Sequence, residues 1–141
     1  MAELYSAWAW LLPQPFQPVM VSAFGDVFFQ HGGQAVFWLN TGTAEITQVA
    51  DSRAQFTELL KSDAYEEWFL PGLVQQLKEA GKLLKPDHCY TYVTLPIFAE
   101  GKYEVSNLTP VPAREHFGLT GSMHQQLHAL PNGAKVKFRV V

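Results

Sequence analysis

The chain has 141 residues, 48% hydrophobic and 16% charged, with a formal net charge of −3 and one cysteine. That length suits one domain with a substantial core, and so apolar a composition argues against disorder. A weakly acidic chain with no basic stripe interleaved with aromatics is not a direct nucleic-acid binder. Cys89 cannot form an internal disulfide, which points to a reducing cytoplasmic home. The apolar run LYSAWAWLL, residues 4–12, has no basic segment before it, and Pro13 stops it well short of the roughly 20 residues a membrane span needs. It reads as an amphipathic first helix over about 3–12, neither signal peptide nor membrane span.

After the proline-broken PQPFQP come PVMVSAF, DVFFQH and QAVFWLN, the last two joined by a glycine pair that marks a hairpin. Val27, Phe28 and Phe29, and likewise Ala35 to Leu39, are apolar on both faces, so these strands are expected to be central. The NTGT turn at 40–43 leads into the more polar AEITQVA, completing a meander over about 19–49. Helices follow over about 52–81. Asp51 or Ser52 can cap RAQFTELLK, Ser52 and Gln55 having capping-box spacing, and Ser62 or Asp63 can open AYEEWFL. Pro71 starts a helix with apolar positions at three- and four-residue steps, and Gly81 is its expected terminator. Strands return over about 89–108 as CYTYVTL and YEVSNL. Thr109, Pro110 and Pro112 announce a helix over about 112–129, and PNG turns into a strand over about 135–140 whose lysines guard an edge. The expectation is one α+β domain over residues 1–141, a twisted, mainly antiparallel sheet with helices packed against it.

Chemistry-bearing residues are few. In GSMHQQLHAL, residues 121–130, His124 and His128 are four apart on one helix, as in zinc hydrolases. Gln125 stands where such a site needs a glutamate to activate the metal-bound water, and an amide cannot accept that proton. A third ligand could come from His116, His31, His88 or Cys89, but no second motif with ligand spacing identifies one. On a helical wheel Ala113, Phe117, Met123, Leu127 and Leu130 share an arc that also holds His116 and His124, with His128 at its margin. Core histidines bonded to neighbours are therefore the favoured reading, a small metal-dependent hydrolase the alternative, and no cofactor is expected. His88 and Cys89 are adjacent on a strand and point to opposite faces, against a thiolate–imidazole pair. Asp63, Glu66 and Glu67 surround Tyr65, Trp68 and Phe69. Either the aromatics of a short amphipathic helix plug the core, or the cluster is an acidic, aromatic-edged patch for a basic partner.

Taken in order, the segments FGDVFF, VFWLNTGTAEITQVADSRAQF, EEWFLPGLVQQL, KPDHCYTY, KYEVSNL and HFGLTGSMHQQLHALPNGAKV resemble the C-terminal domain of immunity proteins against type VI secretion DNase effectors. The resemblance runs from about Trp8 to Val136. Its most specific pieces are Gly25-Asp26, WLNTGT, Glu67-Trp68-Phe69, Cys89-Tyr90, Tyr103 to Asn107, and Gly121 to Gln126. The family's usual residue at positions 40 and 106 is Asp, where Asn40 and Ser106 stand here, so no role needing those carboxylates is carried over. Some relatives carry a further N-terminal domain, for which this length leaves no room, so the chain is expected to be a stand-alone copy.

The resemblance implies a cytoplasmic, non-enzymatic protein that binds and neutralises a cognate toxin, a nuclease effector, as a monomer or small homo-oligomer. Asp63, Glu66, Glu67 and Glu100 are its expected contacts. A general intracellular interaction or scaffold domain without a toxin is the alternative.

Overall fold

The computed structural model describes residues 2–129; the C-terminal strand expected over 135–140 lies outside them. A 3-10 helix, Ala2–Trp8, leads into a four-stranded antiparallel meander in the order β1 (Gln17–Val21), β2 (Val27–Gln30), β3 (Val36–Asn40), β4 (Glu45–Ala50). Helices α1 (Arg53–Leu59), α2 (Ala64–Phe69) and α3 (Pro71–Glu79) follow. Strand β5 (His88–Tyr92) pairs antiparallel with β6 (Leu108–Pro112), and the long helix α4 (Ala113–His128) closes the described chain. The protein is therefore α+β, with its antiparallel pairing divided between two sheets. A backbone bond from Tyr90 N to Ala23 O, 2.7 Å, ties one sheet to the other.

Strand β2 organises the core. Its alternate side chains serve opposite faces, and Val27, Phe28 and Phe29 are all fully buried. Val27 and Phe29 join Tyr5, Trp8, Leu39 and Phe117 beneath the 3-10 helix and α4. Phe28 faces the other way, into a cluster with Val36, Phe56 and Trp68 beneath α1 and α2. A third cluster of Phe24, Leu77, Tyr90, Tyr92, Leu95 and Leu108 fills the space between α3 and the β5–β6 pair.

Local chemistry sets several boundaries. Ser52 caps α1, its Oγ accepting from Gln55 N at 3.1 Å. Gly81 ends α3 at φ +83°, with Gly81 N bonded to Lys78 O and Lys82 N to Leu77 O, the paired bonds of a Schellman motif. Leu70 closes α2 in the left-handed region, at φ 47° and ψ 56°, so that Pro71 can open α3 at once.

Three segments depart from the sequence expectation. The first helix is a 3-10 segment ending at Trp8 rather than running to about 12. Two indoles anchor this end of the chain to α4, Trp8 Nε1 donating to Thr120 Oγ1 at 3.3 Å and Trp10 Nε1 to Gly121 O at 3.2 Å. The segment YEVSNL is not a strand: Val105–Asn107 form a 3-10 turn and β6 begins at Leu108. The cause is Asn107, whose side chain bonds Thr94 N, Thr94 O and Lys102 O at 2.8–2.9 Å and folds the 93–107 loop upon itself. Pro110 and Pro112 then lie inside β6 rather than opening the helix. Among the described residues β6 pairs with β5 alone, and the missing N–H groups of its prolines fall on the side away from β5.

Candidate partner-binding site

The two buried histidines of α4, His116 and His124, are hydrogen-bonded into the fold. His116 has no solvent exposure; its Nδ1 lies 2.8 Å from Thr91 Oγ1 and its Nε2 2.9 Å from Thr41 Oγ1. The Thr41 hydroxyl has one proton, which it directs to Asp26 Oδ1 at 3.1 Å or Gly25 O at 3.2 Å. It must therefore accept from His116 Nε2–H, and Thr91 donates to Nδ1: a neutral imidazole in a single tautomer. Burial pushes the His116 pKa down to about 4, which keeps it neutral. His124, also buried, donates from Nε2 to Thr41 O at 2.9 Å, and burial lowers its pKa too.

The geometry does not assemble the metal site considered for His116, His124 and His128. His116 and His124 are eight residues apart, about 12 Å along the helix, and their ring nitrogens bond to the NTGT turn and β5. His128 is exposed and lies against the Trp10 ring at 5.4 Å, while His124 lies against Trp8 at 5.5 Å. Among the described residues no three His, Cys, Asp or Glu side chains converge as a ligand set. The buried stripe of α4 is His116, Phe117, Thr120, Gly121 and His124, more polar than the arc expected from its apolar residues. Gly121 belongs there because a Cβ would stand 2.5 Å from Ala7 O, so its absence lets the 3-10 helix approach. Gly25 has the same role against His116, whose ring a Cβ would overlap at 2.2 Å.

Asp26 is the centre of this network; in the sequence it stands out only within the Gly25-Asp26 piece of the family resemblance, with no role attached. Its Oδ1 accepts from Thr41 N at 2.9 Å and its Oδ2 from Trp38 Nε1 at 3.1 Å. Ser22 Oγ, accepting from Phe24 N and Asp26 N, shapes the turn that carries it. Burial outweighs these donors and raises the Asp26 pKa to about 6. The available signal was a carboxylate directly before the fully apolar VFF run, a position where burial without a partner would be costly. Cys89 is buried, its thiol pushed up to about 12 by burial and by the Asp26 charge, while neighbouring His88 bonds Pro86 O.

The acidic cluster has a different character. On α2, Trp68 is buried and stacks on Phe56 at 5.7 Å, and Phe69 stacks on Phe28 at 5.2 Å. Tyr65 stacks in turn on Phe69 at 5.0 Å yet remains 40% exposed. Asp63, Glu66 and Glu67 are exposed beside these rings. Both readings of the cluster thus have a physical basis: Trp68 and Phe69 plug the core, and Tyr65 with the carboxylates faces solvent. Glu100 is also exposed but stands on the 93–107 loop, whose Tyr103 lines one cleft together with Glu67 and Trp68 of α2.

Between that loop, α2 and β3 lies a cleft of about 210 Å³ lined by Asp26, Trp38, Asn40, Glu67, Trp68 and Tyr103 among others. The fold thus collects residues from four of the stretches that carry the family resemblance: Gly25-Asp26, WLNTGT, Glu67-Trp68-Phe69 and the segment opened by Tyr103.

The family model described as T6SS immunity protein Tdi1, C-terminal, matches residues 50–124, from the last residue of β4 into α4. The chain belongs to this family. No curated protein matches it. Membership in the Tdi1 C-terminal family makes this a type VI secretion immunity domain and suggests binding rather than turnover as its business. Among the described residues no helix is long and apolar enough to cross a membrane.

Proposed function

We propose that the protein binds a secreted toxin, a nuclease effector of the type VI system, and holds it inactive in the cytoplasm, and that the chain acts as one domain. The observation that carries this reading is the face of α2, where Asp63, Glu66 and Glu67 stand exposed around Tyr65 on an aromatic stack rooted in the core. A nuclease presents a basic cleft to its substrate. Carboxylates on a rigid aromatic base compete for that cleft and speed encounter, while the rings supply contact area at little conformational cost. Glu100, exposed on the 93–107 loop, is the further contact in this reading. With a net charge of only −3 the steering is local.

The test is affinity capture of the tagged chain from cells expressing their secretion systems, at moderate salt, followed by a nuclease assay on the captured partner. A stoichiometric nuclease whose activity returns when the chain is removed supports the reading. A captured set containing no nuclease, from cells shown to make such effectors, contradicts it in favour of a general interaction domain.

A further inference from the structure

The cleft between α2, β3 and the 93–107 loop has a composition that selects its occupant. Trp38, Trp68 and Tyr103 provide ring surface, and Asp26 and Glu67 provide two carboxylates, one deeply buried and one exposed at the rim. Among the described residues no lysine, arginine or histidine lines it. An anion would meet only like charge, and a purely apolar ligand would leave both carboxylates uncompensated. A cation satisfies both and gains further from the ring faces.

Asp26 sharpens the choice. Its Oδ1 accepts from Thr41 N and lies within reach of the Thr41 hydroxyl, whereas among the described residues Oδ2 accepts from the Trp38 indole alone and keeps one acceptor position. Among the described residues no cation partners this deep carboxylate; its neutral donors offset only part of the desolvation, and its pKa stays raised. A planar guanidinium can lie on a ring face while its edge donates to carboxylates on either side, a geometry unavailable to an ammonium group. At about 210 Å³ the cleft has room for one such head group with part of its alkyl stem.

We propose that this cleft is an arginine-binding subsite, receiving an arginine side chain of the partner protein between Trp38, Trp68 and Tyr103, with Glu67 at its rim and Asp26 at its floor. The assignment to a protein partner rests on the toxin-binding reading above; the guanidinium chemistry does not. Among the acidic positions it singles out Glu67, the only one of Asp63, Glu66, Glu67 and Glu100 that lines the cleft.

The experiment needs no toxin, so its failure is distinct from a failure of toxin binding. The full chain is titrated with N-acetyl-arginine methylamide, and in parallel with the citrulline and lysine counterparts, while the indole N–H resonances of Trp38 and Trp68 are followed by NMR. Saturable shifts of both indoles at roughly millimolar affinity are expected, with citrulline roughly tenfold weaker and lysine several-fold weaker. Glu67→Gln should weaken the arginine probe several-fold, whereas Glu58→Gln, on exposed α1 beside Lys61, should not. Absence of indole shifts overturns the proposal. So does citrulline binding as well as arginine, lysine binding as tightly, or an unchanged affinity in Glu67→Gln.

Discussion

The interior of α4 and the outer face of α2 form an instructive pair. Helix α4 carries the residues that look like chemistry, three histidines within 13 positions, yet both buried ones are locked neutral as donors to the NTGT turn. Helix α2 looks like packing, a short run of large aromatics, yet it exposes its carboxylates and Tyr65 and forms one wall of an open cleft. The lesson concerns exposure and unused bonding capacity. A titratable side chain whose donors and acceptors are all used is scaffold. One that remains open beside ring surface is available to a partner.

The sharpest way to break this contrast is to cut the α4 network. His116→Ala removes a fully buried ring and leaves Thr41 and Thr91 without their partner, so a loss of about 3–5 kcal/mol is expected in denaturant unfolding. A loss under about 1 kcal/mol would mean that the histidine is not structural.

Next comes the pH dependence of Asp26, whose folded pKa is raised from 3.8 to about 6. For a carboxylic acid shifted upward, the stabilisation is fully present below the unfolded value and is lost as pH rises through 6, by about 3 kcal/mol. His116, lowered from 6.5 to about 4, has the opposite sign: its contribution is full above 6.5 and is lost as pH falls toward 4. The two therefore oppose each other between pH 4 and 6. Asp26→Asn removes one side of that balance, so relative to the unmodified protein the variant should gain about 3 kcal/mol between pH 4 and pH 7. Parallel stability curves for the two proteins would show that Asp26 does not titrate as its burial requires.

Gly121→Ala should have a smaller effect. The new methyl meets the Ala7 carbonyl at 2.5 Å, and pushing the 3-10 helix outward should cost about 1–3 kcal/mol, checked by thermal unfolding. The glycine in GSMHQQ is then explained by backbone approach, with no chemistry attached.

Much of this architecture was legible because its signals are local. The glycine-joined hairpin, the Ser52 cap, the Gly81 stop and the apolar runs of β2 and β3 each depend on a few neighbouring residues, and each sits where those residues dictate. The extent of β6 was not legible: Pro110 and Pro112 announce a helix unless one knows that this strand pairs with β5 through its other edge and that Asn107 folds the preceding loop. The Asp26 network was hidden for a related reason. Its partners lie 12 to 75 positions apart in the Trp38, Thr41 and His116 links, and no spacing rule connects them before the fold does. The cleft shares this difficulty, drawing its walls from β3, α2 and a loop more than 30 residues further on.

The smallest expected effect on the fold carries the largest consequence for function. Reversing Glu66 and Glu67 to lysine together should change unfolding free energy by no more than about 0.5 kcal/mol, since both are exposed. The decisive measurement is the affinity of that double variant for the captured nuclease, at two ionic strengths, beside the unmodified chain. The expectation is association weakened several-fold, with a salt dependence smaller than the unmodified chain's or reversed, in a protein that unfolds as before. Unchanged affinity in a protein equally stable would contradict it and remove the α2 face from the interface.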